Sequence, residues 1–397
     1  MTLTVAWRPA NNMRHPQAVQ SFDDPRVVEV RAKTRAYVRD VVLAQGDLWE
    51  RDGSIGRGEF QRLGSFGLLG LCHPLEFGGA DLGPVASVAF AEEISRCTFS
   101  GLPEAVLVHT DMSSTHISGR GSKEQKERYL PAVIRGDLIC AIAVTEPEAG
   151  SDVAGLATRA ARRADNWVLN GTKTYVTNAL NGDIFIVAAR TDATAKPSRG
   201  LSLFLVERNT PGVTVRPMAR KHGMLSSDIA DLVFDDARLP ASALIGEENR
   251  GFYGIMENFQ NERLILGAMS LGMGLQSLEI TVEYLKARRA FGGRLWDKQA
   301  IRQRIAFLYA RMRAVQALVY ATAIKSARGD DVVSEVSMVK ALAGETLQDI
   351  VRDCLQFHGG YGYMHGTAIE RLGRDARLMT IGGGATEVML DEIAKRL

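Results

Sequence analysis

The carboxylate of Glu262 is the group in this 397-residue chain whose type and setting point most directly to chemistry. It opens a long apolar run, Arg263 and Leu264 follow it, and segment 381–387 (IGGGATE) has the small residues that would leave a buried carboxylate room. Burial raises the pKa of a carboxyl group, so Glu262 is a candidate general base. A glutamate beside an arginine at a helix start is also typical of an ion pair or of compensation of the helix dipole. Spacing alone leaves both interpretations open.

Three further segments are candidates for ligand binding. Segment 145–152 (TEPEAGSD) is expected to expose N–H and O–H groups to a flat polar ligand, or to be an ordinary turn. Segment 356–362 (QFHGGYG) permits close approach of the backbone to a phosphate or adenine, or forms a glycine helix cap. Seven lysines and arginines lie between residues 286 and 304, around Phe291, which suits a pyrophosphate or a solvated helix end.

Other kinds of site are disfavoured by the sequence. No G-x-G-x-x-G follows a predicted strand, and no P-loop, H-E-x-x-H or G-x-S-x-G pattern occurs. The cysteines lack the spacing of zinc ligands and are expected to be buried thiols, so we predict no metal site; they are Cys72, Cys97, Cys140 and Cys354. The 48 basic and 46 acidic residues nearly balance, which does not favour nucleic acid or an anionic membrane as a partner.

Two helical regions flank a region of short strands. Helical periodicity begins near residue 25 and predicts further helices at 58–69, 84–96, 101–117 and 123–135. Seven apolar, β-branched runs separated by turn signals such as Asn170-Gly171 predict an antiparallel sheet or barrel; they are 138–144, 166–169, 172–177, 184–189, 201–207, 213–216 and 232–234. Long helices predicted at 253–289, 299–328 and 332–357 would form a bundle, with a shorter one after residue 387.

The predicted fold class is therefore α+β. Its parts are an N-terminal arm (1–24), an N-terminal helical domain (25–137), a middle β domain (138–247) and a C-terminal helical bundle of four helices (248–397). The arm lacks apolar periodicity and is expected to be loosely held. No secretion signal and no apolar run long enough to cross a bilayer are found in the sequence, so a soluble cytoplasmic protein is expected.

Six motifs, in this order, resemble the acyl-CoA dehydrogenase family. They are AVTEPEAGSD (143–152), NGTKTYVTN (170–178), RRAFG (288–292), QFHGGYGY (356–363), RDAR (374–377) and IGGGATEV (381–388). The resemblance extends over nearly the whole chain from about residue 25. It implies a flavoprotein of three domains, usually a homotetramer, with FAD between the β domain and the bundle and its ADP end held by a neighbouring subunit. It also implies oxidation of an acyl-CoA to the 2,3-enoyl thioester, with an electron-transfer flavoprotein as acceptor.

The resemblance assigns roles motif by motif. Contacts to FAD from the β domain are implied for Val144, Thr145, Ser151, Tyr175 and Thr177. Contacts to a neighbouring subunit's FAD are implied for Arg288, Phe291, Gln299, Gln356, Gly359 and Gly360, and further FAD contacts for Thr386 and Glu387. Substrate contacts are implied for Ser151, Arg263, Gly383 and Gly384. Tyr175 replaces a frequent tryptophan, Ala290 a frequent threonine and Leu225 a frequent arginine.

The position of the base separates two branches of the family. Many members place the catalytic glutamate where Gly383 stands. A second branch, similar to isovaleryl-CoA and long-chain acyl-CoA dehydrogenases, places it in an E-R-L pattern that Glu262, Arg263 and Leu264 match. The segment VHTDM (108–112) and the chain end look like the bacterial citronellyl-CoA type. The resemblance thus implies that Glu262 is the base, with the Gly383 N–H free to bind the thioester oxygen.

Other functions stay open at this point. The acyl group is either bound to CoA or tethered to a carrier protein, and the same fold serves oxygen-using oxidases or a non-catalytic binding protein. Gly267, Ala268, Ser270 and Gly272 keep one helix face small, which makes room for a branched or bulky acyl group or allows close helix packing.

Overall fold

The computed structural model describes residues 15–397, and the first of these residues pack against the N-terminal domain. Nδ1 of His15 lies 2.8 Å from Oδ1 of Asp81, and Val19 is buried at 2% exposure. Residues 15–24 are therefore held in place, which corrects the expectation of a loose arm for that stretch. The earlier part of the predicted arm lies outside the described residues.

Seven α-helices form the described part of the first region, from residue 15 on. They are α1 (Pro25–Tyr37), α2 (Leu43–Asp52), α3 (Arg57–Ser65), α4 (Pro84–Ile94), α5 (Gly101–Leu107), α6 (Ser114–Arg120) and α7 (Lys123–Arg135). The Asp24 side chain caps α1 by accepting from the N–H of Arg26. Ser122 and Gln125 form a capping box at α7, and Gly136 ends that helix with a φ of 78°.

Two π-helical segments interrupt these helices. One, Val38–Val42, joins α1 to α2, and the other, Val108–Ser113, joins α5 to α6. A π turn breaks the regular hydrogen-bond pattern of a helix and is frequent at functional sites. The second segment borders the candidate site described below.

The middle region is one eight-stranded sheet. Its strands are β1 (Cys140–Ala143), β2 (Arg159–Arg163), β3 (Asn166–Thr177), β4 (Ile184–Arg190), β5 (Leu201–Glu207), β6 (Val213–Pro217), β7 (Ile229–Pro240) and β8 (Leu244–Ile245). The strand order is β6-β7-β3-β2-β4-β5-β8, with β1 beside β4. Apolar residues cover both faces of this sheet.

The sheet is mixed, whereas the sequence predicted an antiparallel one. β1 pairs parallel with β4, with Cys140 opposite Ile184, because the β2–β3 hairpin lies between them in the chain. Strand β2 was missed because its residues, RAARR, are mostly exposed and lack apolar alternation. The predicted turn at Asn170-Gly171 is wrong, since β3 continues through it with a shift in register. Gly171 serves a close approach instead: a methyl group there would lie 2.5 Å from Oγ1 of Thr158.

The last region is helical. A short hairpin, β9 (Arg289–Ala290) and β10 (Gly293–Arg294), separates the first two of its helices. The helices are α8 (Gly251–Ala287), α9 (Gln299–Ala327), α10 (Val333–His358), α11 (Gly360–Tyr363), α12 (Ala368–Ala376) and α13 (Thr386–Ala394). The predicted order of helical domain, β domain and helical bundle is confirmed.

Helix α8 lies at the centre of the molecule and packs against α4, α9 and α10. One apolar core runs through the N-terminal helices and the bundle together. By length and composition α8 would suit a bilayer, since an 18-residue window of it has a mean hydropathy of 1.3, so the expectation that no such run exists is wrong. Of that apolar window 78% is buried inside the fold, as in the core helix of a soluble protein.

Candidate active site

Glu262 lies on α8 with its side chain buried. The residue is 8% exposed, and its carboxylate has no hydrogen bond or ion pair within residues 15–397. Burial raises the pKa of this carboxyl to about 7; the charge of Glu104 raises it as well, while Arg263 and Lys340 oppose the shift. A buried carboxylate that titrates near neutrality and has no partner is suited to accept a proton.

The π-helical segment Val108–Ser113 fixes α8 just before Glu262. Nδ2 of Asn261 donates to the Asp111 carbonyl over 2.9 Å, and Nδ2 of Asn258 donates to the Met112 carbonyl over 2.9 Å. Two side-chain amides of α8 thus bind carbonyls of the π-helical segment. Helix α8 is thereby held in register with the N-terminal domain.

The glycine segment before α13 lies against Glu262. A methyl group at Gly383 would lie 3.2 Å from Oε1 of Glu262 and 2.1 Å from Cδ1 of Leu266, so a side chain there would displace Glu262 or Leu266. The φ of 65° at Gly383 also favours glycine. Its N–H has no acceptor in the described chain and is available to a ligand oxygen.

Lys340 of α10 fixes this segment and was missed from the sequence. Its Nζ donates to the carbonyls of Met379 and Gly384, each over 2.8 Å, and the residue is 1% exposed. Burial lowers the pKa of Lys340 to about 8, and the charge of Glu262 acts in the opposite direction. The signal available in the sequence was a lysine on the apolar face of a long predicted helix, since such a lysine needs a buried partner.

Arg263 and Gly384 meet on the other side of the segment. The Arg263 guanidinium lies 5.7 Å from the centre of the Phe259 ring, and its Nε has no hydrogen-bond partner in the described chain. A methyl group at Gly384 would lie 3.9 Å from that Nε and 2.7 Å from Cε of Met389. Arg263 therefore borders the site with a donor to spare.

A buried ion pair holds the loop between β1 and β2. Nζ of Lys173 lies 2.6 Å from Oε1 of Glu146 and donates to the Val144 carbonyl over 2.9 Å. Desolvation works against the ionised Glu146, but the Lys173 charge keeps its pKa below the usual value. The Thr174 N–H donates to the Thr145 carbonyl. The predicted cofactor loop is thus attached to β3, and no pattern along the chain had indicated that Lys173 and Glu146 pair.

Tyr175 presents its ring to solvent at an irregularity in β3. Its φ is 57°, it is 63% exposed, and the register of β3 against β7 shifts between Lys173 and Val176. A bulge of this kind re-aims a side chain. Thr177 is half-buried two residues later, and Ser151 is exposed in the loop held by Glu146.

The remaining predicted cofactor residues face outward from the bundle. Phe291 is 89% exposed, and the others are exposed as well, with no hydrogen bond or ion pair to the surroundings of Glu262; they are Arg288, Gln299, Gln356, Gly359 and Gly360. A methyl group at Gly359 or Gly360 would meet no atom within 4 Å. Thr386 is buried and donates to Glu345, whereas Glu387 is exposed.

The small face of α8 and the cation cluster around Phe291 both have contacts within the chain. The small face of α8 serves helix packing: a methyl group would lie 2.2 Å from Cγ1 of Val339 at Gly267 and 2.2 Å from the Glu92 carbonyl oxygen at Gly272. The cation cluster is partly engaged within the chain, since Lys298 donates to the Phe291 carbonyl.

The residues present fit a flavin nucleotide. Tyr175 offers a flat ring beside backbone groups of the β1–β2 loop, and exposed arginine and glutamine side chains with open glycines suit a phosphate and adenine tail. The φ of Gly359 accounts for glycine there, but no contact within the described chain accounts for Gly360. A ligand or a second chain would do so.

Comparison with known proteins gives matches over almost the whole chain. Three family models match: acyl-CoA dehydrogenase N-terminal domain at residues 25–137, middle domain at 141–237 and C-terminal domain at 249–397. The mitochondrial long-chain specific acyl-CoA dehydrogenase of Mus musculus is 36% identical over 372 residues, 92% of this chain and 85% of that protein. An acyl-CoA dehydrogenase of Bacillus subtilis is 35% identical over 370 residues, 93% and 97% of the two chains.

Solved structures agree with these sequence matches. An acyl-CoA dehydrogenase of Geobacillus kaustophilus is similar with a TM-score of 0.91 at 34% identity, over 95% of this chain and 99% of that one. A glutaryl-CoA dehydrogenase of Mycobacterium smegmatis, solved in complex with FADH2, has a TM-score of 0.87 at 28% identity, over 94% and 96% of the chains.

Proposed function

This chain belongs to the acyl-CoA dehydrogenase family, and on that premise we propose that it oxidises an acyl-CoA thioester to the 2,3-enoyl-CoA with FAD as cofactor and Glu262 as base. The observation that carries the assignment of the base is the buried Glu262 carboxylate, which has no partner in the described chain and lies against Gly383.

The chain's own groups are suited to removal of the α-proton. The α-hydrogen of a thioester is weakly acidic, so a base must be held against the α-carbon while the carbonyl oxygen is stabilised. The Gly383 N–H is free to donate to that oxygen, and Glu262 takes the proton. Bound FAD supplies the acceptor for the hydride that leaves the β-carbon, so that a C2–C3 double bond forms.

The surroundings of Glu262 set its basicity. A pKa of about 7 leaves a useful fraction ionised at neutral pH and makes the carboxylate a stronger base than an exposed one. An acyl chain that excludes water would raise this pKa further. Lys340 keeps the Gly383 segment in place through two carbonyls and limits the shift by its charge.

The cofactor contacts divide between two copies of the chain. Val144, Thr145, Ser151, Tyr175 and Thr177 would hold the flavin ring of the same chain. The exposed residues Arg288, Phe291, Gln299, Gln356, Gly359 and Gly360 would hold the nucleotide end of a partner's FAD, with Thr386 and Glu387 as further contacts. Their exposure within one chain supports this part of the proposal, which requires a homotetramer or homodimer.

The electron acceptor and the location are two further parts of the proposal: the first follows from family membership, and the second from the sequence pattern alone. An electron-transfer flavoprotein is proposed as the acceptor, and the cytoplasm as the location. To test the acceptor, the protein is reduced by its substrate and mixed with the electron-transfer flavoprotein. Reduction of the bound FAD without any transfer of electrons to that flavoprotein would refute this part of the proposal. Fractionation of cells that express the full chain checks the location, with recovery in the membrane fraction as the contrary result.

The anaerobic absorbance spectrum of the FAD-loaded protein tests the activity. Acyl-CoA esters, straight and branched, are added one at a time. Bleaching of the flavin by one of them, with formation of the enoyl-CoA, is the expected result and names the acyl group. Bleaching only by carrier-protein thioesters would show that the acyl group is bound to a carrier protein and not to CoA. Binding of acyl-CoA without bleaching would show that the protein binds the thioester but does not oxidise it.

A further inference from the structure

A second buried carboxylate near the base has no role so far. Glu104 lies on α5 and is 9% exposed. Its carboxylate makes no hydrogen bond or ion pair within residues 15–397, and its Oε2 is fully buried. Leaving a buried carboxylate unpaired is costly, so such a group is retained where a ligand supplies the missing partner.

The position of α5 places Glu104 beside the reaction centre. On one side, the carbonyl of Ala105 accepts from Nδ2 of Asn178, directly after the flavin-side residue Thr177 of β3. On the other side, α5 continues into the π-helical segment, whose Asp111 carbonyl accepts from Nδ2 of Asn261, the residue before Glu262. Helix α5 therefore contacts the chain just after β3 and leads into the segment that binds α8 beside Glu262, and the charge of Glu104 acts on Glu262.

Further polar groups without ligands accompany it. A methyl group at Gly101, one turn before Glu104, would lie 2.5 Å from Oγ of Ser226, and that hydroxyl is buried without a hydrogen-bond partner in the described chain. The charge of Lys221 acts on Glu104, but the two side chains are not hydrogen-bonded to each other. Nζ of Lys221 donates instead to the carbonyl and hydroxyl of Ser227, each over 2.6 Å. Glu104 Oε2 and Ser226 Oγ are thus two buried polar atoms without partners near α5, and a plain hydrocarbon chain would leave both unpaired.

We propose that Glu104 is a specificity-determining residue that binds a hydroxyl group on the acyl chain, so that the preferred substrate is a hydroxylated acyl-CoA. The proposal rests on the proposed function. A hydroxyl both donates and accepts a hydrogen bond, and it satisfies Glu104 without adding a charge to a desolvated site.

Charged alternatives fit less well. A carboxylate on the acyl chain would lie near both Glu104 and Glu262, and a cationic amine would lie near Lys221 and Arg263. Burial raises the pKa of Glu104, so its surroundings suit a neutral ligand group better than a charged one.

Matched pairs of CoA esters test the proposal. Each pair has the same carbon chain with and without one hydroxyl, placed at successive carbons beyond C3, and kcat/KM for anaerobic flavin reduction is measured for both. For at least one position the wild type is expected to favour the hydroxylated ester by about tenfold or more, since a site built for a hydroxyl rejects an analogue that lacks it. Glu104→Leu is expected to remove that preference.

Controls separate recognition from stability. Glu59→Gln, at a buried glutamate that accepts from the hydroxyl of Tyr37 on α1, is expected to leave the ratio unchanged. Glu104→Leu is expected to raise the melting temperature, because an unpaired buried carboxylate is removed. A lower melting temperature with an unchanged ratio would mark Glu104 as a structural residue and overturn the proposal.

The outcomes distinguish the two proposals. Flavin reduction by the plain esters, with no preference for any hydroxylated partner, overturns this inference and leaves the proposed function intact. A hydroxyl preference that persists in Glu104→Leu removes Glu104 from recognition. No flavin reduction by any ester overturns the proposed function, and this inference with it.

Discussion

The two ends of the candidate site differ in what surrounds them. Glu262, Lys340 and Arg263 are 8%, 1% and 8% exposed and lie around one glycine segment. Phe291 is 89% exposed, and the other predicted contacts to the nucleotide are also open to solvent. The end around Glu262, which we call the base end, is therefore built from side chains of a single chain. The end around Phe291, the nucleotide end, offers groups whose partners must come from outside that chain.

The glycines show the same contrast. Gly383 has a reason within the chain, because Leu266 and Glu262 occupy the space of a side chain and φ is 65°. Gly360 has none, since a methyl group there meets no atom within 4 Å. The close approach of a ligand or a partner chain would explain a glycine at position 360. The following variants test this difference between Gly383 and Gly360.

The largest effect is expected at the base end from Glu262→Gln. The amide keeps the shape of the side chain but cannot take a proton, so kcat should fall by about 10² to 10⁴-fold while acyl-CoA still binds. Steady-state kinetics and a binding titration measure the two effects. Glu279→Gln, at an exposed glutamate of the same helix that pairs with Arg96, is the control and should keep full activity.

The pair Gly383→Ala and Gly360→Ala tests the contrast itself. At Gly383 the methyl group meets Leu266 in a left-handed backbone, so unfolding free energy should fall by roughly 1–2 kcal/mol or more and activity should be lost. At Gly360 the fold should keep its stability, and weaker FAD retention or oligomer assembly is expected. Thermal melts, flavin content and sedimentation measure these. Equal destabilisation by both changes would remove the contrast.

Lys340→Met is expected to shift the pH dependence of activity. Glu262 must be ionised to act, so kcat/KM rises as pH passes its pKa of about 7. The Lys340 charge lowers that pKa, so its loss should move the rise to higher pH and also loosen the Gly383 segment. Lys325→Met, at an exposed lysine paired with Glu335, should leave the pH profile unchanged. An unchanged profile for Lys340→Met would contradict the assigned position of Lys340.

The smallest effect is on stability. The pKa of Glu262 rises from 4.5 to about 7 on folding, so the folded state binds more protons between those values, and the stability from protonated Glu262 is lost as pH rises through 7. Glu262→Gln should therefore melt at a higher temperature than the wild type at pH 8, with little difference at pH 4. The reverse order would mean that the carboxylate is paired in the fold.

The sequence predicted the order of regions well, because helical periodicity is a local signal, whereas the assignment of Glu262 as the base stays a prediction. Predictions from the sequence failed where a contact between distant parts of the chain decides the local structure. Strand β2 has no apolar alternation because it is mostly exposed, and Asn170-Gly171 continues a strand because Thr158 approaches Gly171. Lys340 and Glu104 were missed because the surroundings of their side chains depend on which helices meet, and no spacing along the chain shows that.

Proton exchange at the substrate α-carbon tests the central claim most directly, because it isolates the base from the hydride step. The FAD-loaded wild type and Glu262→Gln are incubated in D2O with an acyl-CoA analogue that has no hydrogen on its β-carbon, and loss of the α-hydrogen signal is followed by NMR. We predict exchange by the wild type and none above background by Glu262→Gln, although both bind the analogue. Exchange at the wild-type rate in Glu262→Gln would show that another group takes the proton.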